Sequence, residues 1–374
     1  MLRMNKKLHI VSFDVPYPAN YGGVIDVFYK LKALKQQGVD IVLHTYEYGR
    51  GQQPELKKHC SKVFYYPRNS FVRSYLSTDP FIVKSRASEV LIDNLNSDES
   101  PILFEGLHTT LPIITKRLKQ QRTYIRTHNI EHRFYKGLSK SESNIFKRNF
   151  FKQEAKKLKR YERVLEEVDG VFSISPYEQK YFLKKYGDKC TYVPAFHNTK
   201  IYSNHKFNSK KILYHGNVLV SENVKAALFL IDTYKDSTYN LIIASSYRNK
   251  ELGKEIEIYP NIEFKHLSNQ EELYTLFEEA HINALPTFQK TGIKLKLLNT
   301  LYQGKFIIAN DFMVEDTGLE TLCERANTKE EFLEKSKTLL QKDFKDEIIK
   351  ERRRVLENFN TTLGAKKIIE TIFS

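Results

Sequence analysis

The stretch PTFQKTGIKLKLLNTLYQGKFIIAND, residues 286–311, decides how this chain is read. It follows the apolar run Ile282–Leu285 and contains a polar loop, a helical pattern starting near Gly292, a stop at Gly304 and a second apolar run, Phe306–Ala309. Strand, loop, helix and strand in that order make one unit of a parallel sheet with helices on its faces. The loop precedes a helix N-terminus, where unpaired amides and the helix dipole favour an anion, and Lys294 and Lys296 add positive charge beside it. Residues two apart lie on different sides of a regular helix, so both lysines reach one anion only if the first turn is irregular. Lys296 is therefore the preferred contact.

The same alternation runs outward from this segment. Toward the N-terminus lie strand-like runs at Lys211–Tyr214, Leu241–Ala244 and Ile262–Phe264, with a helical pattern over Glu222–Tyr234. Residues 197–210, HNTKIYSNHKFNSK, are polar and aperiodic and read as a linker. Before the linker, Leu8–Phe13, Ile41–Leu43, Val63–Tyr65, Ile102–Phe104, Tyr124–Thr127, Val171–Ile174 and Thr191–Val193 read as strands. Gly22 and Gly23 follow the first of these, and Val24, Phe28, Leu31 and Leu34 then recur at helical spacing. The fold class is α/β, with two Rossmann-like domains facing each other across a cleft. Residues 1–196 form the first domain, and 211–360 the second. A last helix over 361–374, apolar at Ile368, Ile369, Ile372 and Phe373, is assigned to the first.

A chain of 374 residues has room for two such cores. Sixty Lys and Arg against 45 Asp and Glu give a formal charge of +15, which admits nucleic acid, anionic lipid or phosphorylated small molecules as partners. The basic residues are spread and no nucleic-acid-binding motif is present, so nucleic acid is set aside. Cys60, Cys190 and Cys323 are three, and far apart, fitting neither a disulfide framework nor a metal site. A reducing, cytoplasmic setting follows. The apolar run after Met1–Lys7 is too short for a signal peptide, and no run of about 18 apolar residues exists to span a membrane.

Taken in order, several blocks resemble glycosyltransferase family 4. HIVSFDVPYPANYGGVIDVFYKLKALKQQGVDIVLHT (9–45) is similar to its acceptor-domain start, and RTHNIEH (126–132) and DGVFSISPYE (169–178) match later blocks. KILYHGNVLVSENVKAALFLID (211–232) looks like the opening of its donor domain, and IEFKHLSNQEELYTLFEEAHINALPT (262–287) like the strand, helix and strand that lead into residues 286–311. The resemblance implies a B-type fold and transfer from a UDP- or GDP-sugar, with retention at the anomeric carbon, to a glycan or glycolipid acceptor in surface polysaccharide or glycolipid synthesis. It implies no cofactor and no bound metal, and no Asp-x-Asp triplet of the metal-dependent transferases is present. The chain departs from the family at its Glu-x7-Glu pattern, which falls on Thr291 and Asn299. Donor recognition then shifts to Lys296, Lys294, Gly292 and the helix start, with Asn299 left to hydrogen-bond ribose hydroxyls without charge.

Gly216 and Asn217 follow the strand Lys211–Tyr214 and let backbone approach a diphosphate, although the family's Arg and Lys are absent here. Asn217 and Asn223 are the substitutes, and Asn223 also reads as a helix N-terminal residue. Gly22 and Gly23 occupy the place of the family's glycine loop, or form a plain turn. His108 and His128 each follow a strand and are the catalytic candidates, together with Glu315, which lies beyond Phe306–Ala309 in NDFMVEDTGLE. His128 and His132 are four apart, but no third metal ligand accompanies them. Glu105 and Glu131 leave open a nucleotide-sugar epimerase, which needs carboxylates across the cleft, and the missing Glu pair leaves open a donor-binding relative with little activity. Phe146–Arg163, FKRNFFKQEAKKLKRYER, holds eight Lys or Arg against two Glu. It reads as a basic aromatic helix lying on the anionic inner face of a membrane, or as an amphipathic helix packed on the first domain.

Overall fold

The computed structural model describes residues 6–20, 22–70, 77–199, 209–289 and 295–374. Among them, two sheets carry the fold. The first has seven strands: β1 (Lys7–Ser12), β2 (Asp40–Glu47), β3 (Lys62–Pro67), β4 (Ile102–Glu105), β5 (Thr123–Thr127), β6 (Gly170–Ser173) and β7 (Cys190–Tyr192). The second has six: β8 (Lys211–His215), β9 (Asn240–Ser245), β10 (Ile262–His266), β11 (Ala280–Leu285), β12 (Phe306–Ala309) and β13 (Glu324–Arg325). Every pairing is parallel. The strands read as unbroken apolar runs because both faces of a parallel sheet are covered; β11, AHINAL, is buried at every position.

The strand orders are β3-β2-β1-β4-β5-β6-β7 and β10-β9-β8-β11-β12-β13. In each sheet the chain winds one way from a central strand and then returns to build the other side. The direction reverses between β1 and β4, and again between β8 and β11. At such a reversal the connecting helices diverge and leave a crevice outside the carboxyl ends of the strands.

Helix Gly22–Gln36 buries Val24, Val27, Leu31 and Leu34 against Leu8, Ile10, Ile41 and Leu43. The spacing of three and four places these side chains on one face. Helix Thr361–Phe373 follows the second sheet in sequence, but Ala365, Ile368, Ile369 and Ile372 belong to the core of the first. Gly364 makes this docking close, since a Cβ there would lie 3.1 Å from Phe196 Cζ. In the second sheet, Ala226, Ala227, Leu230 and Ile231 of helix Ser221–Tyr234 pack on Ile212, Ile243 and Ile282. The sequence reading did not separate β13, because a two-residue strand has no periodicity to detect. No helix among the described residues is long and apolar enough to cross a membrane.

Candidate functional site

The carboxyl ends of β1, β4 and β5 bring Phe13, His108 and His128 together. The Phe13 ring centroid lies 5.2 Å from that of His108 and 5.4 Å, edge-on, from that of His128. Gly23 makes room for this ring, because a Cβ at residue 23 would stand 2.5 Å from Phe13 Cζ. Arg86 closes the loop from behind, with Nε donating to Phe13 O at 2.8 Å and Nη1 to Ile82 O at 2.6 Å. His108 is half-buried and its Nδ1 has no partner. Burial, and then the Arg86 guanidinium, hold its pKa well below the usual imidazole range.

Under His128 lies a charge network that the sequence reading did not find. His128 Nε2 is 3.0 Å from Glu105 Oε2, and Lys30 Nζ donates to the same oxygen at 2.9 Å and to Asp26 at 2.9 Å. Arg126 donates to Asp26 through Nε at 3.2 Å and Nη2 at 3.0 Å, and to Val193 O and Pro194 O. Asp26 also accepts from Phe196 N at 2.8 Å. Asp26, Lys30, Glu105 and Arg126 are all fully buried, so two carboxylates face two cations away from water. Burial alone would raise the Asp26 pKa; Arg126 and Lys30 overcome this and hold it far below the carboxylate range. Asp26, Glu105 and His128 place one ligand atom each within 4.8 Å of one another. The Lys30 ammonium sits between the two carboxylates, so the positive charge a metal ion would supply is already there. Glu105, one of the carboxylates an epimerase would need, is held by Lys30 and His128. His128 and His132 share no ligand atom position, since His132 Nδ1 bonds Glu162 Oε2 at 3.1 Å. The signal for the network was the pair Asp26 and Lys30, two charges four residues apart among the apolar residues Val24, Val27, Leu31 and Leu34.

On the second sheet the turn after β8 meets the start of helix Leu295–Gln303. Lys296 Nζ donates to Asn223 Oδ1 at 3.1 Å and to Tyr214 OH at 3.2 Å, and lies 4.4 Å from the Tyr214 ring centroid. A Cβ on Gly216 would be 2.9 Å from Lys296 Nζ, so the glycine lets the ammonium and the turn come together. Asn223 does not cap its helix; its Nδ2 donates to Asn217 O at 2.9 Å. Asn217 shapes the turn, its Oδ1 accepting from Leu219 N at 2.9 Å. His215 Nε2 is 3.1 Å from Thr300 Oγ1, and burial, then the nearby Lys296 charge, push its pKa down to about 3. Asn299 is half-buried one turn beyond Lys296. Glu315 is exposed after the short helix Asp311–Val314 and acts on Arg325. Thr291, Gly292 and Lys294 lie outside the described residues.

The two faces touch. A Cβ on Gly22 would lie 3.9 Å from Leu295 Cδ1, the residue before Lys296. Gln289 Nε2 donates to Phe134 O at 3.0 Å across the interface, and Gly137 leaves space for it. Glu222 Oε1 holds that loop by accepting from Thr287 Oγ1 at 3.1 Å and from Phe288 N. No motif announced Glu222, Tyr214 or Gln289; their roles come from contacts distant in sequence.

Against known proteins, the sequence is 26% identical over 340 residues to an uncharacterised 44.6 kDa protein in the cps region of Klebsiella pneumoniae, covering 83% of this chain and 84% of that one. No protein-family model matches it. TarM superposes with a TM-score of 0.68 at 12% identity over 99% of both chains. The fold is that of the B-type glycosyltransferases. A S. aureus TarM mutant in complex with fondaparinux, alpha-GlcNAc-glycerol and UDP gives 0.67 at 11% identity over 99% of this chain and 100% of that one. The apo form of WaaB, the lipopolysaccharide outer core galactosyltransferase, gives 0.61 at 14% over 98% and 99%. Gly22 and Gly23 form neither a free loop nor a plain turn but open helix Gly22–Gln36, and in this B-type fold that helix start meets the start of helix Leu295–Gln303.

The basic helix spans Ile145–Tyr161. Phe150 stacks edge-on with Phe81, and Phe151 with Tyr135, while Leu158 is fully buried. These side chains pack on the first sheet's own layer. Ile145 and Phe146, at 60% and 85% exposure, remain as an apolar tip beside Lys147 and Arg148.

Proposed function

We propose that this chain is a metal-independent, retaining glycosyltransferase that moves a sugar from a nucleoside diphosphate sugar to a glycan or lipid-linked acceptor in surface polysaccharide synthesis. The observation that carries the reading is Lys296, whose ammonium stands at the Gly216 turn of the second sheet while the neighbouring Leu295 meets Gly22 of the first. An ammonium at the carboxyl-end crevice is suited to a diphosphate. The UDP complex of TarM and the cps-region relative support the donor class and the pathway.

In this reading residues 211–360 bind the donor, and residues 1–196 with 361–374 bind the acceptor. Lys296, with Lys294 and the amides near Gly292, takes the charge that builds on the diphosphate as the bond from the anomeric carbon to the phosphate oxygen breaks. Gly216 and Asn217 approach the phosphates and Asn299 the ribose. Gly22 and Gly23 admit the donor's phosphates and the acceptor, His108 and His128 orient the sugars, and Glu315 closes from the loop after β12. The acceptor hydroxyl forms the new bond on the face the diphosphate leaves, and its proton passes to the departing phosphate oxygen. The enzyme works at the cytoplasmic membrane face, touching anionic lipid through the tip at Ile145–Arg148.

Thermal-shift titration with UDP, GDP and their sugars tests the donor class; stabilisation by none of them would sink the proposal. Charged hydrogen bonds contribute about 1.5–3 kcal/mol, so Lys296→Ala weakens UDP binding by about 10- to 150-fold. Unchanged affinity in calorimetry would remove Lys296 from the phosphate site.

A further inference from the structure

A cavity of about 550 Å³ opens at the amino-terminal ends of β12 and β13, the end of the second sheet opposite to the cleft. Its size falls within the range of small-molecule sites. Phe306, Leu322 and Ile348 give it apolar walls, and Lys342, Lys345 and Arg352 line it with three cations.

Arg352 is the unusual member. It is buried, yet no carboxylate lies within 4.0 Å of it among the described residues. Nη1 donates to Gly304 O at 2.6 Å and Nη2 to Lys305 O, which leaves Nε as a buried donor without a partner. The two carbonyls at the end of helix Leu295–Gln303 compensate part of the charge, as helix C-termini do for cations. They do not use Nε. Lys342 and Lys345 are exposed at the rim and form no ion pair among the described residues. Of the two carboxylates lining the cavity, Glu324 is bound to Lys335 at 2.9 Å, leaving Asp343 as the only one not committed to a described cation. A guanidinium with no carboxylate partner in the wall of an apolar-sided space, 5.1 Å from the Phe344 ring centroid and with two lysines at the rim, suits an anion.

We propose that this cavity binds a small amphipathic anion, with a phosphate or carboxylate head on Arg352 and the two rim lysines and an apolar body against Leu322 and Ile348. The site is separate from the cleft and does not rest on the sugar-transfer reading. Its head group meets the residue that also holds Gly304 and Lys305, the end of the helix that begins with Leu295 and Lys296.

The test uses the full chain and the fluorescent sulfonate 1-anilinonaphthalene-8-sulfonate as probe. One saturable equivalent is expected, undisturbed by UDP and retained in Lys296→Ala. Arg352→Met removes the binding. Because that variant also loses the Gly304 and Lys305 contacts, Ile348→Glu is read beside it; a carboxylate in the wall weakens the probe at least about tenfold. Displacement by octyl phosphate but not octanoate assigns a phosphate head, and the reverse a carboxylate head. No saturable binding, displacement by UDP, equal binding in Ile348→Glu, or displacement by neither surfactant each overturns the proposal.

Discussion

Asp26→Asn removes one charge from a closed set of four. In the native chain Asp26 and Glu105 balance Lys30 and Arg126, all without exposure. The Asp26 carboxylate accepts from Lys30 Nζ at 2.9 Å, Arg126 Nε at 3.2 Å and Nη2 at 3.0 Å, and Phe196 N at 2.8 Å. An amide of the same shape keeps one acceptor and leaves a net buried positive charge. Breaking a buried ion pair from one side costs about 3–5 kcal/mol, chiefly for the charge left behind. At about 2–4 °C per kcal/mol for a domain of this size, the melting midpoint of the first unit falls by about 6–20 °C. The assay is thermal and urea unfolding of the wild type, Asp26→Asn, Lys30→Met and the double variant. Asp26→Asn with Lys30→Met restores charge balance, so it is destabilised less than the two single effects summed. Because the Asp26 pKa is depressed, its contribution is present above the ordinary aspartate value, and is lost only as pH falls below that value toward the folded one. Asp26→Asn within about 1 kcal/mol of wild type, or strictly additive variants, would refute the reasoning.

Three further outcomes follow from the geometry. Gly23→Ala sets a methyl 2.5 Å from Phe13 Cζ, so it displaces the ring and costs about 1–3 kcal/mol; Phe13→Leu in the same chain recovers part of the loss, and a Gly23→Ala protein as stable as wild type would contradict the packing. Burial, with His9 beside His44 and Lys296 beside His215, pushes both pKa values down to about 3 from 6.5. Their stability is fully present above 6.5 and is lost as pH falls from 6.5 toward 3, about 2 kcal/mol each at pH about 5; a urea midpoint that stays flat from pH about 7 to about 4.5 would exclude it. Ile145→Ser with Phe146→Ser removes the exposed apolar tip and lowers binding to phosphatidylglycerol vesicles, and added salt weakens what remains; sedimentation equal to wild type would leave the tip without a lipid role.

The alternation of apolar runs and helical patterns was readable because burial on both faces of a parallel sheet writes itself locally, strand by strand. The runs at Ile102–Phe104, Leu241–Ala244 and Phe306–Ala309 all lie within observed strands. At the proposed site, residue type and position relative to a strand end are what nominate Gly23, His108, Gly216 and Lys296. They were not enough for Phe13, Tyr214, Glu222 or Asp26, which have no motif and act through partners far along the chain. For the helix carrying Phe150 and Phe151 the sequence left two readings, lying on a membrane or packing on the first domain, and the half-buried Phe150 and Phe151 rings meet Phe81 and Tyr135 of that domain.

By itself the sequence determined an α/β chain of two wound units, and it raises a phosphate site near residues 286–311 as an expectation. Those properties rest on periodicity and on helix ends, which are set by neighbours within a few residues. The tertiary structure alone decided that Lys296 reaches Asn223 and the Gly216 turn, that Glu105 is locked by Lys30, and that the last helix returns to the first core. Each depends on which surfaces meet after the loops have closed, and a contact between residues 73 or more apart leaves no periodic trace along the chain.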